Sequence, residues 1–193
     1  MKIFDNVLGQ NALQSLQKEI VDSTAFPWYK TLTTYDNSTG SDLKHYSWFH
    51  TVSKEGTVVS QVYSLLYPIL LCAFDNINEP VHNFIRLRLA LQTPIGEQFI
   101  NDAHIDYGFE HKTALLYLNT CDGNTVVYNE KYDHNSQISP VDYLNNNLEN
   151  KLSTLKEVEP IENRLAIFNG LHYHSSQRPI NYPYRVILNI NYN

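Results

Sequence analysis

Two stretches in the first half of the chain repeat their apolar residues at helical intervals. Between Val7 and Ser23, leucine, isoleucine and valine side chains recur every three to five positions, which predicts an amphipathic helix. The stretch from Ser60 to Ile77 is apolar almost all round, so we expect a helix packed against another layer. It is short for a bilayer span and is interrupted by Pro68, so no membrane association is expected.

After Val81 the pattern changes to the alternation typical of strands, most clearly over 84–92. Further strands are predicted at 26–30, 46–52, 99–105, 112–119, 124–128, 156–159, 164–168, 172–176 and 184–192. Helices followed by many short strands predict a mainly β protein with N-terminal helices, built as a sandwich or jelly roll. We expect one domain over residues 1–193, with a helical buttress over about 1–80 and a β-barrel core over about 81–193.

Two polar segments interrupt this series. The segment 34–42 is rich in Asn, Ser, Thr and Gly and predicts a loop, and Lys54–Gly56 predicts a turn. The asparagine-rich segment 133–150 predicts an insertion with one or two helical turns after Pro140. A tolerated insertion and a substrate lid are both open for this segment.

Composition narrows the class of protein. The 193 residues are 42% hydrophobic and 18% charged, with a formal net charge of -6. Such a balance argues against a nucleic-acid partner, which usually meets a basic face. Cys72 and Cys121 are too few for a disulfide framework and match no zinc spacing, so both are expected to be buried thiols in a reducing compartment. Residues 1–6 carry no signal-peptide pattern, and a cytoplasmic protein is expected.

The chemistry of the chain centres on His104 and Asp106. On a strand these two side chains face the same way, because successive residues point to opposite sides. A second imidazole from a distant strand, either His172 or His174, completes two histidines and one carboxylate on one side of an ion. This facial set suits non-haem Fe(II) and leaves coordination positions open for a co-substrate and O2.

Arg185 supplies a second chemical signal. It lies in the apolar run 184–192, and a buried guanidinium needs an anionic partner. A dicarboxylate bound to the metal at one end presents its other carboxylate to such a residue, whose fork of N–H donors matches it.

These residues resemble the Fe(II)- and 2-oxoglutarate-dependent dioxygenases, and within them the prolyl 4-hydroxylase-like branch of phages and bacteria. The resemblance covers nearly the whole chain. The matching segments, in order, are 3–8, 26–28, His104-x-Asp106, 116–119, 163–168, 174–176, Arg185 and 188–192.

The resemblance implies a double-stranded β-helix, a jelly-roll or cupin-like barrel, in which His104, Asp106 and His174 bind Fe(II). It implies that Arg185 pairs with the distal carboxylate of 2-oxoglutarate and that the Tyr117 hydroxyl hydrogen-bonds the same group. The chain departs from a common variant in which a serine or threonine stands at position 187, where it has Ile187. Tyr117 is therefore expected to supply the missing donor, unless it is an ordinary core tyrosine.

The activity implied is hydroxylation of a C–H bond coupled to oxidative decarboxylation of 2-oxoglutarate to succinate, with O2 as the oxidant. Peptidyl proline, another peptide and a small molecule are all candidate substrates, and ascorbate is a candidate additional cofactor. The same branch allows a phage-encoded protein that acts in a host cytoplasm.

Several alternatives stay open. A cupin-type metal enzyme shares the barrel but usually carries more His and Glu ligands, and a non-catalytic binding barrel needs no intact ligand set. Arg86 and Arg88 share a strand face, and we expect this face to meet water rather than to line a substrate channel, while Gln92 further along is a candidate co-substrate contact. The histidines expected in loops or towards solvent are His45, His50, His111 and His134.

Overall fold

The computed structural model describes residues 1–32, 46–148 and 151–193. In these ranges the helices are α1 (Gln10–Leu16), α2 (Tyr63–Asn76) and α3 (Pro140–Asn147), and a π-helical stretch, Gln17–Val21, continues α1. The strands are β1 (Lys2–Phe4), β2 (Tyr29–Leu32), β3 (Tyr46–Lys54), β4 (Thr57–Val58), β5 (Phe84–Gln92), β6 (Lys112–Tyr117), β7 (Thr125–Lys131), β8 (Thr154–Val158), β9 (Leu165–Asn169), β10 (His172–Ser176) and β11 (Arg185–Tyr192). The predicted mainly β class with N-terminal helices is confirmed.

The strands form two antiparallel sheets. The larger sheet has the order β1-β9-β6-β11-β5-β3-β2, with β4 paired to β3, and the smaller one has the order β10-β7-β8. Strands β1 to β4 lie within the first 80 residues and join the same sheet as β5 and β11. The N-terminal part therefore contributes strands to the barrel in addition to its helices. A single domain over residues 1–193 stays a prediction.

Strand β11 contributes side chains to two separate cores, one on each face of the larger sheet. All eight of its residues are buried, so both faces of the larger sheet are covered at this strand. Leu188 and Ile190 point to the main core, where they pack with helix residues such as Leu66. Ile187 points the other way and packs between the two sheets with Val127 of the smaller one. Alternate residues of one strand thus divide a helix-facing core from the interior of the barrel.

Both predicted N-terminal helices are present. Helix α1 buries Leu13 and Leu16, and α2 buries one stripe that includes Leu66 and Leu70 while keeping Pro68 inside its length. The expectation for the cysteines is half wrong, because Cys121 is buried but Cys72 is exposed on α2. A helix that is apolar on several sides still leaves one side on the surface. Among the described residues, no helix has the length and apolar character needed to cross a membrane.

The segment 133–148 is ordered around α3. Ser139 caps the helix by accepting a hydrogen bond from the Asp142 backbone N–H, and Pro140 occupies the first turn. The short helix predicted after Pro140 is thus present. The Tyr173 hydroxyl donates to the Pro140 carbonyl at 2.7 Å, so the start of α3 is tied to β10. The loop predicted at 34–42 and the end of the predicted insertion, 149–150, lie outside the described residues.

Candidate active site

The paired strands β5 and β11 carry the interior of the barrel. Because they are antiparallel and in register, their inward side chains form four rungs. From one end to the other these rungs are Gln92 with Arg185, Ala90 with Ile187, Arg88 with Asn189, and Arg86 with Asn191. Polar and charged groups stand at both ends of this interior face, with an apolar rung between them.

Three potential metal ligands meet at the arginine–asparagine end. One ligand atom each from His104, Asp106 and His174 lies within 4.8 Å of the others. The two histidines are brought together by the backbone, since His104 N–H donates to the His174 carbonyl at 3.0 Å and His174 N–H donates back at 2.9 Å. The structure differs here from the predicted strand over 99–105. Ile100 and His104 make only isolated bridges, and Asp106 lies in a bend beyond them.

Hydrogen bonds orient both imidazoles. Nδ1 of His104 is 3.1 Å from the Asp102 carbonyl oxygen, and Nδ1 of His174 is 3.2 Å from the His172 carbonyl oxygen. A carbonyl oxygen only accepts, so each Nδ1 carries the proton and each Nε2 is the unprotonated nitrogen of its ring. This is the tautomer that a metal-binding histidine needs.

The protonation states also suit a cation. Burial lowers the pKa of His104 to about 4, with the neighbouring His174 adding to the effect, and burial lowers the pKa of His174 in the same way. Burial alone raises the pKa of Asp106, but Arg86 and the two histidines outweigh it and hold the pKa well below the usual range. Near neutral pH the group is therefore two neutral imidazoles and one carboxylate, the forms that coordinate metals.

His172 lies outside this group. Its Nδ1 is hydrogen-bonded to the Tyr128 carbonyl at 2.7 Å, and a register shift in β10 separates it from His174. The structure thus brings His174 rather than His172 to His104 and Asp106. Of the other histidines, His134 is exposed. The loop or solvent-facing position expected for His50 is wrong, because His50 is buried in β3, whereas His111 is buried but lies in the loop before β6. His45 is outside the described residues.

The expectation that Arg86 and Arg88 face water is also wrong. Arg86 forms an ion pair with Asp106 at 2.5 Å, where the Asp106 side chain is only 2% exposed. Arg88 lines the interior cavity, and its guanidinium lies 4.2 Å from the centre of the Phe49 ring. Strand alternation shows correctly that the two share a face, but it does not tell which face is covered by the smaller sheet.

Arg185 occupies the other end of the same cavity. The residue is 1% exposed. Its guanidinium donates to the carbonyl of Gly123 at 2.8 Å, to the hydroxyl of Thr125 at 2.7 Å and to the side-chain oxygen of Gln92 at 3.4 Å. Burial lowers the pKa of Arg185. The ion pairs among the described residues do not include Arg185, and its hydrogen-bond partners are all neutral oxygens. A buried cation in this state favours an anionic ligand.

The structure places the predicted tyrosine behind a threonine. The Tyr117 hydroxyl donates to Thr125 Oγ1 at 2.8 Å, and Tyr117 is not among the residues that line the cavity, whereas Thr125 is. Thr125 Oγ1 thus accepts two hydrogen bonds, one from Tyr117 and one from Arg185, and only its own proton is left to donate. The sequence did not single out Thr125, because its place on the cavity wall depends on how closely the two sheets approach.

The chain is similar in fold to solved 2-oxoglutarate- and iron-dependent oxygenases, although no protein-family model and no curated protein matches it. A prolyl hydroxylase from Trichoplax adhaerens, solved with a hypoxia inducible factor peptide, has a TM-score of 0.62 at 16% identity over 99% of this chain and 82% of its own. A Pseudomonas putida prolyl-4-hydroxylase has a TM-score of 0.57 at 14% identity, over 100% of this chain and 91% of its own.

A third similar structure is the epimerase SnoN, solved with Fe3+, alpha ketoglutarate and nogalamycin RO. Its TM-score is 0.66 at 14% identity, over 98% of this chain and 77% of its own. These likenesses confirm the predicted double-stranded β-helix and the resemblance to 2-oxoglutarate/Fe(II) oxygenases. At such identities they establish the fold, so the roles of individual residues rest on the geometry of the site.

Proposed function

We propose that the protein is an Fe(II)- and 2-oxoglutarate-dependent hydroxylase. The observation that carries the proposal is one cavity with opposite chemistry at its two ends. His104 and His174 line one end of it with Asp106 grouped beside them, and the buried cation Arg185 lines the other end. Two imidazoles and one carboxylate fit Fe(II) and leave positions open for further ligands, and the guanidinium fits the far carboxylate of a keto diacid.

In this proposal the protein holds the co-substrate with two donors at its distal end. Arg185 pairs with the carboxylate, and the Thr125 hydroxyl donates its free proton to the same group. Tyr117 acts through Thr125, since its hydroxyl holds the threonine oxygen. Bound Fe(II) and 2-oxoglutarate supply, with O2, the oxidising power that converts C–H to C–OH and 2-oxoglutarate to succinate and CO2.

The substrate side lies beside the metal group, where α3 approaches the His104–Asp106 loop. A groove of about 270 Å³ lies between residues 103–108 and 139–141 and is also lined by Tyr173. The segment around α3 forms one wall of this groove, which supports a role in covering substrate. Because the similar structures hold a peptide in one case and a small molecule in another, peptidyl proline and small molecules are both substrates to test.

Two other functions fit the geometry less well. A cupin-type enzyme has no need for a buried arginine at the far end of the metal cavity. A non-catalytic barrel has no need for two histidines held in metal-binding tautomers around an ionised carboxylate.

The test is turnover of the co-substrate. Purified protein supplied with Fe(II), 2-oxoglutarate and O2, with and without ascorbate, is expected to form succinate, and omission of the metal should stop it. Binding of metal without any effect of 2-oxoglutarate would favour the cupin-type reading. Absence of metal binding would favour a non-catalytic barrel.

A further inference from the structure

Asp106 differs from the two histidines in how its position is determined. The histidines are fixed by mutual backbone hydrogen bonds, whereas Asp106 lies in a bend two residues beyond that bridge. Its carboxylate is held by side chains of the two central strands instead. Arg86 of β5 donates to Oδ1 at 2.5 Å, and Asn189 and Asn191 of β11 donate to Oδ2 at 3.0 and 2.9 Å.

These three donors are distributed unequally over the two carboxylate oxygens of Asp106. Each carboxylate oxygen has two lone pairs. Oδ2 accepts two amide N–H groups, so both of its lone pairs are engaged. Oδ1 accepts one bond, from Arg86, and keeps one lone pair for another partner.

We propose that Arg86, Asn189 and Asn191 form a carboxylate cradle that makes Asp106 a one-oxygen metal ligand through Oδ1. Arg86 holds the oxygen that coordinates, and the two amides keep the other oxygen away from the metal. The inference rests on the proposed function, because it concerns how the same metal is held. It assigns positioning roles to three residues outside the ligand set.

The cradle has a consequence for the number of open coordination positions. A carboxylate that bound the ion through both oxygens would supply a fourth protein donor atom. It would occupy a position that the co-substrate or O2 would otherwise use. A cradle that blocks Oδ2 therefore preserves the position that O2 needs, and it does so from β5 and β11, the buried strands that also carry Gln92 and Arg185.

The surroundings of the two asparagines also support a positioning role towards Asp106. Asn191 also donates to Thr113 Oγ1 at 3.1 Å, so its amide is held in place from β6. The side-chain oxygens of Asn189 and Asn191 are buried without a hydrogen-bond partner among the described residues. Leaving two amide acceptors unsatisfied costs free energy, and both amides nevertheless turn their donors to Asp106.

The test uses two readouts that need no turnover. The first is the affinity of the protein for Co(II), and the second is the affinity of the anaerobic Fe(II)–2-oxoglutarate complex for nitric oxide, a spectroscopic probe of the open position. Arg86→Met should weaken Co(II) binding about 10- to 100-fold, the range for loss of an outer-shell partner. Arg86→Lys should restore it, because one N–H donor to Oδ1 is enough.

The double variant Asn189→Leu/Asn191→Leu should behave differently. Its Co(II) affinity should stay close to that of the wild type, while nitric oxide affinity falls at least about tenfold as Oδ2 takes the free position. Asn119→Leu is the matched control: Asn119 bonds to the backbone of Val186 and Tyr184, and its hydrogen bonds do not reach Asp106. It should lower stability and leave both affinities unchanged.

The outcomes separate the cradle from the proposed function. Unchanged Co(II) affinity in Arg86→Met, or unchanged nitric oxide affinity in the double variant, would overturn the cradle while the wild type still binds metal and co-substrate. Failure of the wild type itself to bind Co(II) would overturn the proposed function and the cradle together.

Discussion

The two ends of the β5–β11 interior face show opposite solutions to burying charge. At the co-substrate end a buried cation, Arg185, is surrounded by neutral oxygens, so its charge is solvated but not neutralised. At the metal end a buried anion, Asp106, is met by a full cation and two amides. In the proposed function, the first arrangement selects an anionic co-substrate by charge. The second fixes the geometry of the carboxylate before the metal binds.

The largest expected effect comes from removing the metal end. His104→Ala, Asp106→Ala and His174→Ala should each abolish succinate formation and stoichiometric Fe(II) binding, because two remaining ligands hold the ion weakly. His172→Ala is the matched control and should retain both. Activity that survives in the His174 variant but is lost in the His172 variant would reverse the assignment.

Loss of the cation at the other end should spare the metal. Arg185→Met removes a charge-assisted pair worth about 3 kcal/mol, so the 2-oxoglutarate concentration for half-maximal succinate formation should rise about 100-fold. Fe(II) affinity measured without co-substrate should not change. An unaltered requirement for 2-oxoglutarate would place the distal carboxylate elsewhere.

A smaller effect distinguishes the two hydroxyls at this end. Thr125→Val removes one donor to the carboxylate, worth about 1.5 kcal/mol, and should raise the 2-oxoglutarate requirement about tenfold. Tyr117→Phe, which only loosens Thr125, should raise it by less. The opposite ranking would return the direct contact to Tyr117, as the sequence resemblance implies.

The last expected effect is a pH dependence of the stability of the metal-free protein, and it comes from the metal end. The pKa of His104 is lowered to about 4 in the fold, against about 6.5 in an unfolded chain. Between these values the unfolded state binds more protons, so the stability of the metal-free protein should fall as pH drops from about 6.5 to 4. Thermal melts across this range should show a shallower decline in His104→Ala. Arg185→Met should keep the wild-type slope, and an equal slope in all three proteins would contradict the assignment.

The sequence was most informative where local pattern and chemistry coincide. The apolar run 184–192 was enough to suggest that Arg185 is buried, and the His104-x-Asp106 pair with a later histidine was enough to suggest a metal. The sides chosen for Arg86 and Arg88 were wrong because burial of a strand face depends on the second sheet, which no local pattern encodes. Asn189 and Asn191 follow Arg185 by four and six residues on the same strand, so strand alternation predicts that all three face inward. This pattern could have identified the two asparagines as site residues.

The sequence could not show that the Thr125 hydroxyl lines the cavity while the Tyr117 hydroxyl lies behind it. Tyr117 and Thr125 lie on strands of different sheets, and their order depends on how closely those sheets approach. Gly123 lies at that approach: a Cβ there would be 3.1 Å from Cδ of Arg185 in the larger sheet and 2.6 Å from the Gln177 carbonyl oxygen, so only glycine fits. Such contacts between distant segments arise only from the assembled fold.

The most direct test of the central claim, that one cavity holds Fe(II) at one end and a keto diacid towards the other, is an anaerobic titration followed by visible absorption. Metal-free protein receives Fe(II) and 2-oxoglutarate separately and then together. A weak charge-transfer band that appears only with both present is the predicted result, and it should need more 2-oxoglutarate in Arg185→Met. Metal binding without such a band would contradict the account.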